Sequence, residues 1–582
     1  MNNIEQQTLA PETSGQPAPP QEITGSQAVL EALIAEGVDT IFGIPGGAIL
    51  PIYDTLYDYR EQLTHVLVRH EQGGAHAAQG YARASGKVGV VFATSGPGAT
   101  NILTGVADAQ MDSTPLVCIT GQVYSHLLGT DAFQETDVVN ITASVSKWNY
   151  LVTDASEIPV ILAKAFFIAR TGRPGPVLID ITKDAQLQKF PYEGYKKMTA
   201  IRSYKPRPTV KPEAIRAAAE LINNAEKPMI LWGQGVILGN AEEEFKAFVE
   251  KSGIPAAWTL LGAGAIPTNH PLNVGMLGMH GNYAPNVLTN ECDVLIAIGM
   301  RFDDRVTGRL DKYARQARVV HLDIDRAEIG KNVKTEVAIC GNCKETIPLL
   351  TEMIVGKSHT KWLAMFRALY GEELETVIYP EMAPVDGGIT MGEVIHQLNV
   401  LTGGEAIVVT DVGQNQMVTC RYVKLNNSRS SITSGGLGTM GFALPAAIGA
   451  KFGAPHRDVI AVAGDGGFQM TLQELGTIMQ TRLNLKIIIL NNQYLGMVRQ
   501  WQELFSDSRY SFVDIESPDF VNLAASYHIN GKRISKREEI RGALTEMLAH
   551  DGAFLLEVMV IKENNVFPMI PQGAGISEIR LR

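Results

Sequence analysis

Short apolar runs alternate with helix-length stretches along nearly the whole chain, a pattern that is typical of α/β units. The runs that indicate buried parallel strands fall into three sets. These runs are 89–94, 115–120 and 177–181 in the first set, 228–232, 293–299 and 319–323 in the second, and 406–411, 458–463, 486–490 and 554–559 in the third. The pattern therefore predicts an α/β protein with three doubly wound parallel-sheet domains.

Segments rich in Pro, Gly or Lys separate the three sets and are predicted to be linkers. They lie at about 190–212 and 379–388. We therefore expect a first domain at 22–190, a second at 205–375 and a third at 385–565, each within the usual size range of a domain.

The two ends of the chain are expected to lie outside these domains. Residues 1–21 combine several prolines with Gln, Thr, Ser and Gly and contain no Lys or Arg, a composition that favours a disordered tail. Because this stretch has the features of neither a signal peptide nor a transit peptide, a cytoplasmic location is expected. Residues 566–582 are expected to form a C-terminal tail.

Composition and charge argue against some classes of partner. The 582 residues include 50 basic and 61 acidic side chains, and the net charge of −11 argues against binding to nucleic acid or to an anionic membrane. No apolar run reaches the roughly 18 residues that a membrane-spanning helix needs. Five cysteines do not make a disulfide framework in a chain of this length. Cys340 and Cys343 form a CxxC pair without a second pair, so a structural role is predicted, with a redox or metal role as the alternative.

Polar residues end two predicted strands of the third set. Gly464, Asp465 and Gly466 follow the run 458–463, and two asparagines that end in Asn492 follow the run 486–490. The gap between Asp465 and Asn492 leaves room for one crossover helix, and right-handed crossovers bring the carboxyl ends of both strands to the same edge of the sheet.

This arrangement predicts a metal-bridged diphosphate site. One carboxylate and one amide oxygen suit Mg2+, which keeps open positions for phosphate oxygens. Backbone N–H groups at a glycine-rich turn and helix start can hold the phosphates directly. Gly-Asp-Gly alone is more often an ordinary turn, but in combination with the asparagines it resembles the thiamine diphosphate motif of the thiamine-dependent enzymes.

Two more residues suit the needs of that cofactor. Met440 projects from a glycine turn at 435–441, and a flexible thioether can fill the gap between two bent rings, although a core position is the alternative. Glu71 follows the apolar run 66–68 and precedes a helix of small residues, where a carboxylate could share a proton with the pyrimidine. The alternative for Glu71 is that it only caps this helix.

Several longer blocks together resemble one family closely. The chain is similar, over about 23–566, to the catalytic (large) subunits of acetohydroxyacid synthase, also called acetolactate synthase. The blocks are FGIPGGA at 42–48, RHEQG at 69–73, YARASG at 81–86, GTDAFQ at 129–134, RFDDR at 301–305 and NNQYLGMV at 491–498.

The resemblance implies a fold, an activity and cofactors. The fold is that of the thiamine diphosphate enzymes, with a pyrimidine-binding first domain, an FAD-binding central domain and a third domain that binds diphosphate and Mg2+. The activity is that of a transferase of branched-chain amino acid biosynthesis (valine, leucine, isoleucine). It decarboxylates pyruvate and ligates the two-carbon unit to a second pyruvate or to 2-oxobutyrate, which gives acetolactate or acetohydroxybutyrate. The FAD is expected to take no part in redox turnover.

The resemblance also carries over site residues. It implies that Glu71, Gln122 and Lys183 are catalytic, and that the metal ligands are Asp465, Asn492 and the backbone carbonyl of Tyr494. Substrate contacts are implied for Phe133, Gln134, Met279, Arg305, Met497 and Trp501. For thiamine diphosphate the implied residues, besides Glu71, are Pro45, Gly46, Val412, Gly413, Gln414, Asn415, Gly438, Met440, Gly464, Asp465, Gly466, Gly467, Asn492, Tyr494, Gly496, Met497 and Val498. For FAD they are Arg173, Gly233, Gly235, Thr259, Leu260, His280, Gly299, Arg301, Asp303, Val306 and Asp323.

Some of these residues also have ordinary explanations. Arg305 is a natural partner for a substrate carboxylate, but a surface ion pair with Asp303 or Asp304 is the alternative. Trp501 and Met497 lie four positions apart and would form an ordinary apolar stripe on a helix if they did not line a pocket. Gly233 and Gly235 after a strand are a weak dinucleotide signal, because a full GxGxxG is absent.

Partners and competing functions are judged from the resemblance and from the residues present. A homodimer or higher homo-oligomer is implied, with the active site between subunits, and a small regulatory subunit is a possible partner. The competing function is a flavin-dependent pyruvate oxidase of the same fold. A decarboxylase with a His-His dipeptide is not favoured because no two histidines are adjacent, and a non-catalytic scaffold is not favoured because Glu71, Asp465 and Asn492 are all present.

Overall fold

The computed structural model describes residues 21–582. The expected tail at 1–20 lies outside the described residues, and Gln21 already belongs to the first strand. Within the described part of the chain, no helix has the length and apolarity needed to cross a membrane.

The N-terminal domain contains a six-stranded parallel sheet in the order β3-β2-β4-β5-β7-β6, and β1 pairs with β8 in a separate antiparallel ribbon. Its strands are β1 (Gln21–Thr24), β2 (Thr40–Gly43), β3 (Thr64–Leu67), β4 (Gly89–Ala93), β5 (Leu116–Gln122), β6 (Trp148–Val152), β7 (Pro176–Thr182) and β8 (Lys189–Tyr192). Its helices are α1 (Gly25–Glu36), α2 (Leu50–Leu56), α3 (Glu71–Ser85), α4 (Pro97–Asn101), α5 (Leu103–Met111), α6 (Val138–Thr142), α7 (Ile158–Arg170) and α8 (Lys183–Leu187).

The central domain contains a second six-stranded parallel sheet, in the order β11-β10-β9-β12-β13-β14. Its strands are β9 (Pro228–Trp232), β10 (Ala256–Trp258), β11 (Asn273–Met276), β12 (Val294–Ile298), β13 (Arg318–Asp323) and β14 (Val337–Cys340). Its helices are α9 (Pro212–Asn223), α10 (Gly235–Leu238), α11 (Glu242–Ser252), α12 (Tyr283–Thr289), α13 (Asp304–Thr307), α14 (Cys343–Met353), α15 (Thr360–Glu373) and α16 (Tyr379–Met382).

The C-terminal domain contains the third six-stranded parallel sheet, in the order β16-β15-β17-β18-β20-β19. Its strands are β15 (Ile407–Thr410), β16 (Ser431–Thr433), β17 (Val459–Gly464), β18 (Lys486–Asn491), β19 (Asn530–Ile534) and β20 (Phe554–Met559). Its helices are α17 (Met391–Thr402), α18 (Gln414–Tyr422), α19 (Ala443–Gly453), α20 (Asp465–Gln469), α21 (Leu475–Thr481), α22 (Gly496–Phe505), α23 (Phe520–Ser526) and α24 (Ile540–Ala549). The predicted fold class, three α/β domains with parallel sheets, is confirmed.

The crossover between β17 and β18 differs from the single helix that the spacing predicts. It contains two short helices, α20 and α21, separated by a 3-10 turn at Leu472–Glu474. Two adjacent glycines in α20 weaken a continuous helix. The bend also turns Glu474 toward the N-terminal domain, where its carboxylate accepts a hydrogen bond from the Arg69 N–H.

The N-terminal and C-terminal domains meet along α3 and α19 without side chains between the two backbones. A Cβ on Gly80 would lie 1.8 Å from the Ala446 carbonyl oxygen, and a Cβ on Gly449 would lie 1.7 Å from that of Ala77. Only glycine allows so close an approach. This contact fixes how the two domains sit within one chain.

The segment 566–582 folds back onto the central domain. Ile570, Ile576 and Ile579 are buried in the same apolar cluster as Leu295 and Phe366. The end of the chain is thus part of the core of a domain that lies far before it in sequence.

Candidate active site

Asp465 and Asn492 lie at one edge of the C-terminal sheet, as the crossover argument predicts. Gly464, at the end of β17, is paired with Leu490 of the neighbouring β18. Asp465 is buried, and its Oδ2 accepts a hydrogen bond from the Ser517 hydroxyl at 2.8 Å. Its Oδ1 has no hydrogen-bond partner within residues 21–582.

The environment of these groups fits a bound divalent cation. Burial raises the pKa of Asp465 to about 6, and the Ser517 hydrogen bond opposes this shift. A metal ion would compensate the buried charge and supply the missing partner of Oδ1. The Asn492 side chain is fixed nearby, because its amide donates to Gln414 Oε1 at 3.1 Å and its oxygen accepts the Tyr494 N–H at 3.2 Å.

Met440 lies next to the glycines that follow Asp465. A Cβ on Gly466 would lie 4.0 Å from the Met440 methyl group, and a Cβ on Gly467 would lie 2.4 Å from Asp411 Oδ1. Asp411 is buried and accepts hydrogen bonds from the N–H groups of Gly441 at 2.9 Å and Ala443 at 3.0 Å. The pKa of Asp411 is raised to about 6 by burial, against these hydrogen bonds. Asp411 therefore holds the turn that carries Met440. The one sign of this role in the sequence is that Asp411 ends a predicted strand.

The start of α18 completes this cluster. Gly413 has a φ of +137°, and Asn415 donates to the Val462 carbonyl at 3.3 Å. A Cβ on Gly496 would lie only 2.1 Å from Gln414 Oε1, so the start of α22 packs directly against α18. Val498, on that helix, is exposed.

Glu71 is the first residue of α3, but it does not cap the helix. The N-cap is His70, whose Nδ1 accepts the Gln72 N–H at 3.2 Å, so the capping alternative is wrong. The Glu71 carboxylate instead accepts a hydrogen bond from the Asn101 amide at 2.9 Å. A Cβ on Gly98 would lie 3.4 Å from Glu71 Oε1. The turn between β4 and α4 therefore lies beside this carboxylate.

The turn after β2 lies at the same edge of the N-terminal sheet. A Cβ on Gly46 would lie 2.5 Å from the Thr94 side chain, and Pro45 is exposed next to it. In the single chain described by residues 21–582, no hydrogen bond joins Glu71 to the residues around Asp465.

Gln122 and Lys183 lie at the carboxyl ends of two neighbouring strands, because Gln122 of β5 is paired with Thr182 of β7. Gln122 is buried, and its amide donates to Asp180 at 2.9 Å and to the Thr136 carbonyl at 2.8 Å. Lys183 starts α8, with its Nζ 5.7 Å from the centre of the Tyr124 ring.

Phe133 and Gln134 lie in a loop near Gly96. The Phe133 side chain is 88% exposed, and Gln134 has a φ of +60°. A Cβ on Gly96 would lie 2.9 Å from Gln134. Because Gly96 and Gly98 share one turn, this loop reaches the neighbourhood of Glu71.

A cavity of about 640 Å3 lies among the three domains, with Met111, Ser113 and 172–174 of the N-terminal domain forming part of its wall. Most residues that the resemblance assigns to FAD line this cavity, namely Arg173, Gly235, Thr259, Leu260, His280, Gly299, Arg301, Asp303, Val306 and Asp323. Four of the substrate candidates line the same cavity: Met279, Arg305, Met497 and Trp501. Val412 and Gly438 also line it, so it opens toward the cluster around Asp465. Gly233 does not line the cavity, but a Cβ there would lie 2.6 Å from the Gly299 carbonyl.

Polar groups at the cavity wall suit a ligand with hydroxyl and phosphate groups. Burial raises the pKa of Asp323 to about 7 and lowers that of His280 to about 3. Within residues 21–582 the His280 Nδ1 has no hydrogen-bond partner. Arg173 donates to Glu328 at 2.9 Å and to Ser113 at 2.9 Å, so it lies between the first two domains.

The two alternatives for Arg305 both remain. Its Nε lies 3.7 Å from Asp304, and its guanidinium donates to the Met279 sulfur at 3.4 Å. Since its side chain is 62% exposed, the ion pair is weak and the guanidinium can reach a ligand.

Cys343 lines the same cavity and is buried, which raises the pKa of its thiol. Cys340 and Cys343 are both free thiols. In the described part of the chain no group of three or more His, Cys, Asp and Glu side chains could hold a metal ion. The metal alternative for this pair therefore has no support from its neighbours.

Comparison with known proteins places nearly the whole length of the chain in one family. Models of the thiamine pyrophosphate enzymes match at 23–141 (N-terminal TPP binding domain), 215–350 (central domain) and 411–558 (C-terminal TPP binding domain). The acetolactate synthase large subunit of Parasynechococcus marenigrum is 46% identical over 96% of this chain and 91% of its own length. The isozyme 2 large subunit of Escherichia coli is 44% identical over 96% and 99%. The probable large subunit of Methanocaldococcus jannaschii is 45% identical over 95% of each.

Similarity of this extent, together with the Asp465–Asn492 cluster, shows that the chain belongs to the acetolactate synthase large-subunit family of thiamine pyrophosphate enzymes.

Proposed function

We propose that this chain decarboxylates pyruvate with thiamine diphosphate and ligates the two-carbon unit to a second pyruvate or to 2-oxobutyrate. The products are acetolactate and acetohydroxybutyrate, precursors of branched-chain amino acids. The observation that carries this proposal is the similarity to acetolactate synthase large subunits over nearly the full length of the chain. The buried, unpartnered oxygen of Asp465 beside Asn492 supports the cofactor assignment.

Asp465, Asn492 and the backbone carbonyl of Tyr494 would hold Mg2+, and the glycines after Asp465 would bring backbone N–H groups to the diphosphate. Met440 would support the bend of the cofactor. When bound, thiamine diphosphate supplies a carbanion that the side chains of the protein cannot form. The task of the protein is to orient the substrates, stabilise charge and exclude water.

Glu71 would share a proton with the cofactor pyrimidine across a subunit interface. The absence of a hydrogen bond between Glu71 and the Asp465 cluster within one chain, over residues 21–582, supports this geometry. A homodimer or higher oligomer is therefore part of the proposal. A small regulatory subunit is a further partner that the large-subunit relatives suggest.

The cavity of about 640 Å3 would hold FAD without redox turnover. Gly235 and Gly299 pack backbone against backbone, since a Cβ on Gly235 would lie 2.6 Å from the Gly299 Cα, and both line the cavity, where their bare backbone would allow a close approach of the ligand. The carboxyl of Asp323 suits hydroxyl groups of the ligand. The anionic diphosphate of FAD would be attracted by the guanidinium of Arg173, which in this structure pairs with Asp325 and Glu328.

The second substrate would enter near the open end of this cavity. Arg305 would bind its carboxylate, and Trp501, Met497 and Met279 would shape the pocket for its alkyl group. Roles for Gln122, Lys183, Phe133 and Gln134 remain proposals, because these residues would meet the cofactor only in an assembled dimer.

The test is incubation of the purified chain with pyruvate, thiamine diphosphate, Mg2+ and FAD, followed by measurement of acetolactate. Acetolactate is expected, and acetohydroxybutyrate in addition when 2-oxobutyrate is present. No reported relative favours the pyruvate oxidase alternative. Formation of acetate or acetyl phosphate with electron transfer to FAD, and no acetolactate, would contradict the proposal.

A further inference from the structure

Two buried carboxylates each accept backbone N–H groups from a loop of a different domain. Glu474, in the C-terminal domain, accepts the N–H groups of Arg69 at 3.0 Å and His70 at 3.1 Å. Asp112, in the N-terminal domain, accepts those of Gly435 at 2.8 Å and Gly436 at 2.7 Å. The first loop leads directly into Glu71, and the second begins the turn that carries Met440.

We propose that Glu474 and Asp112 are reciprocal positioning residues, each of which fixes, in the other domain, the backbone that presents a cofactor-facing side chain. The inference rests on the proposed function, because it assigns the two loops their purpose from Glu71 and Met440. Neither carboxylate lines the cavity, so both act through the loops that they hold.

Glu474 is held tightly where it meets the N-terminal domain. Its side chain is fully buried, and its Oε2 accepts the Thr477 hydroxyl at 2.7 Å. A Cβ on Gly73 would lie 2.5 Å from Glu474 Oε1, so the carboxylate sits against the first turn of α3, at the positive end of the helix dipole. The Arg69 side chain adds a bond to the Gly476 carbonyl at 2.9 Å. The backbone before Glu71 is thus bound by the C-terminal domain of its own chain.

Asp112 is part of a larger buried network at the end of α5. Arg83 Nη2 lies 2.7 Å from Asp112 Oδ2, and both side chains are nearly inaccessible to solvent. Asp108, one turn earlier, accepts the hydroxyls of Ser434 and Thr439, the latter at 3.1 Å. The glycine turn is therefore fixed at both ends by carboxylates of the N-terminal domain.

The Glu474 half of the proposal is tested with Glu474→Ala and Glu474→Gln. In the protein without cofactor, hydrogen exchange of the Arg69 and His70 amides should accelerate by about tenfold in Glu474→Ala, since each loses its acceptor. In the loaded protein, exchange of the thiazolium C2 proton should slow by about tenfold, because Glu71 is no longer held in place. In Glu474→Gln both the amide exchange rates and the C2 exchange rate should be close to those of the wild type, since one amide oxygen can accept both N–H groups.

The matched control is Glu393→Ala, which removes a buried carboxylate that pairs with Arg537 away from both loops. It should lower the melting temperature but leave the exchange rates at Arg69, His70 and C2 unchanged. Wild-type rates in Glu474→Ala, or equal slowing of C2 exchange in the control, would overturn the proposal.

The Asp112 half is tested with a double-mutant cycle of Asp112→Asn and Met440→Ala, again read by C2 proton exchange. If Asp112 acts through the turn that carries Met440, the double variant should slow C2 exchange by a smaller factor than the product of the factors measured for the two single variants. Independent losses would overturn this half. Where Asp112→Asn does not fold, the cycle is run with Thr439→Val, which removes one hydroxyl that donates to Asp108 in the same buried network, and independent losses in that cycle would likewise overturn this half. Acetolactate formation by the wild-type chain tests the proposed function separately. A failure of the positioning proposal can therefore be distinguished from a failure of the proposed function.

Discussion

Asn101 donates its side-chain amide to Glu71 Oε2 at 2.9 Å, which fixes the carboxylate against its own domain. Glu71 thus has a defined direction before any cofactor or second subunit is present. Such preorganisation is what proton sharing requires, because a mobile carboxylate would have to be ordered in each turnover.

Glu71→Gln should bind thiamine diphosphate almost as well as the wild type and lose most turnover, by about a hundredfold or more, because the amide cannot exchange a proton with the pyrimidine. Calorimetric titration gives the affinity, and an acetolactate assay gives the rate. Glu31→Gln, which alters a carboxylate bound to Tyr59 in the same domain, serves as the control. Normal turnover in Glu71→Gln would refute the proton-sharing role.

Asp465→Asn should weaken thiamine diphosphate binding by at least about tenfold and make it require more Mg2+, since Asp465 supplies the charged group among the three proposed ligands. The measurement is the cofactor dissociation constant over a series of Mg2+ concentrations. Ser517→Ala removes the hydroxyl that Asp465 accepts and should have a smaller effect in the same direction. An unchanged Mg2+ dependence in Asp465→Asn would show that the metal lies elsewhere.

Trp501→Leu should reduce the preference between 2-oxobutyrate and pyruvate as acceptor, by up to about tenfold, because one methyl group is distinguished only by the walls of its pocket. Product ratios in a competition between the two acceptors give the effect. Phe505→Leu is a matched control, since Phe505 packs on Trp501 with ring centres 5.5 Å apart and does not line the cavity. Equal product ratios in Trp501→Leu and the wild type would remove Trp501 from the pocket.

The free energy of unfolding should fall as the pH rises from about 4 to about 7, because the buried Asp180 loses its proton over this range. Burial raises its pKa to about 7, against hydrogen bonds from Thr120 and Gln122. Between the unfolded and folded pKa values the folded state binds more protons, so the free energy of unfolding falls with pH, by a contribution on the order of 4 kcal/mol. Asp180→Asn should flatten this part of the stability curve. Denaturant unfolding at pH 4.5 and 7 is the check, and an unchanged slope would contradict the assignment.

Gly449→Ala should destabilise the protein severely, because the new Cβ would lie 1.7 Å from the Ala77 carbonyl oxygen and the two domains would have to separate. Gly542→Ala is the matched control, since this helical glycine has nothing within 4 Å of the new Cβ. It should stabilise slightly, by about 0.5–1 kcal/mol. Melting temperatures of the two variants should therefore move in opposite directions.

The apolar pattern predicts most interior strands of the sheets, but not the short interior strands β2 and β10 and not the edges. Runs such as 228–232 and 554–559 are buried on both faces, so their residues are apolar throughout. The strands at sheet edges, such as β16 and β19, are short or partly polar, because one side of each has no neighbouring strand. Their sequence contains too little apolar signal to separate them from loops.

Some residues of the candidate site can likewise be predicted from the sequence, and others cannot. The Asp465–Asn492 cluster follows from strand order, because parallel strands bring their carboxyl ends together. Glu474 and Asp112 have no such signal, since each lies at the end of a helical segment and meets a loop more than 300 residues away in sequence. Domain boundaries, the cytoplasmic location and the roles of individual site residues remain predictions.

The burial of Ile570, Ile576 and Ile579 in the central domain bears on synthesis of the chain. Translation finishes the first and third sheets before these residues leave the ribosome, while the middle of the protein still lacks part of its interior. The core of the central domain is therefore completed only by residues that are synthesised after the whole C-terminal sheet, and a nascent chain halted before residue 570 would expose an apolar face there.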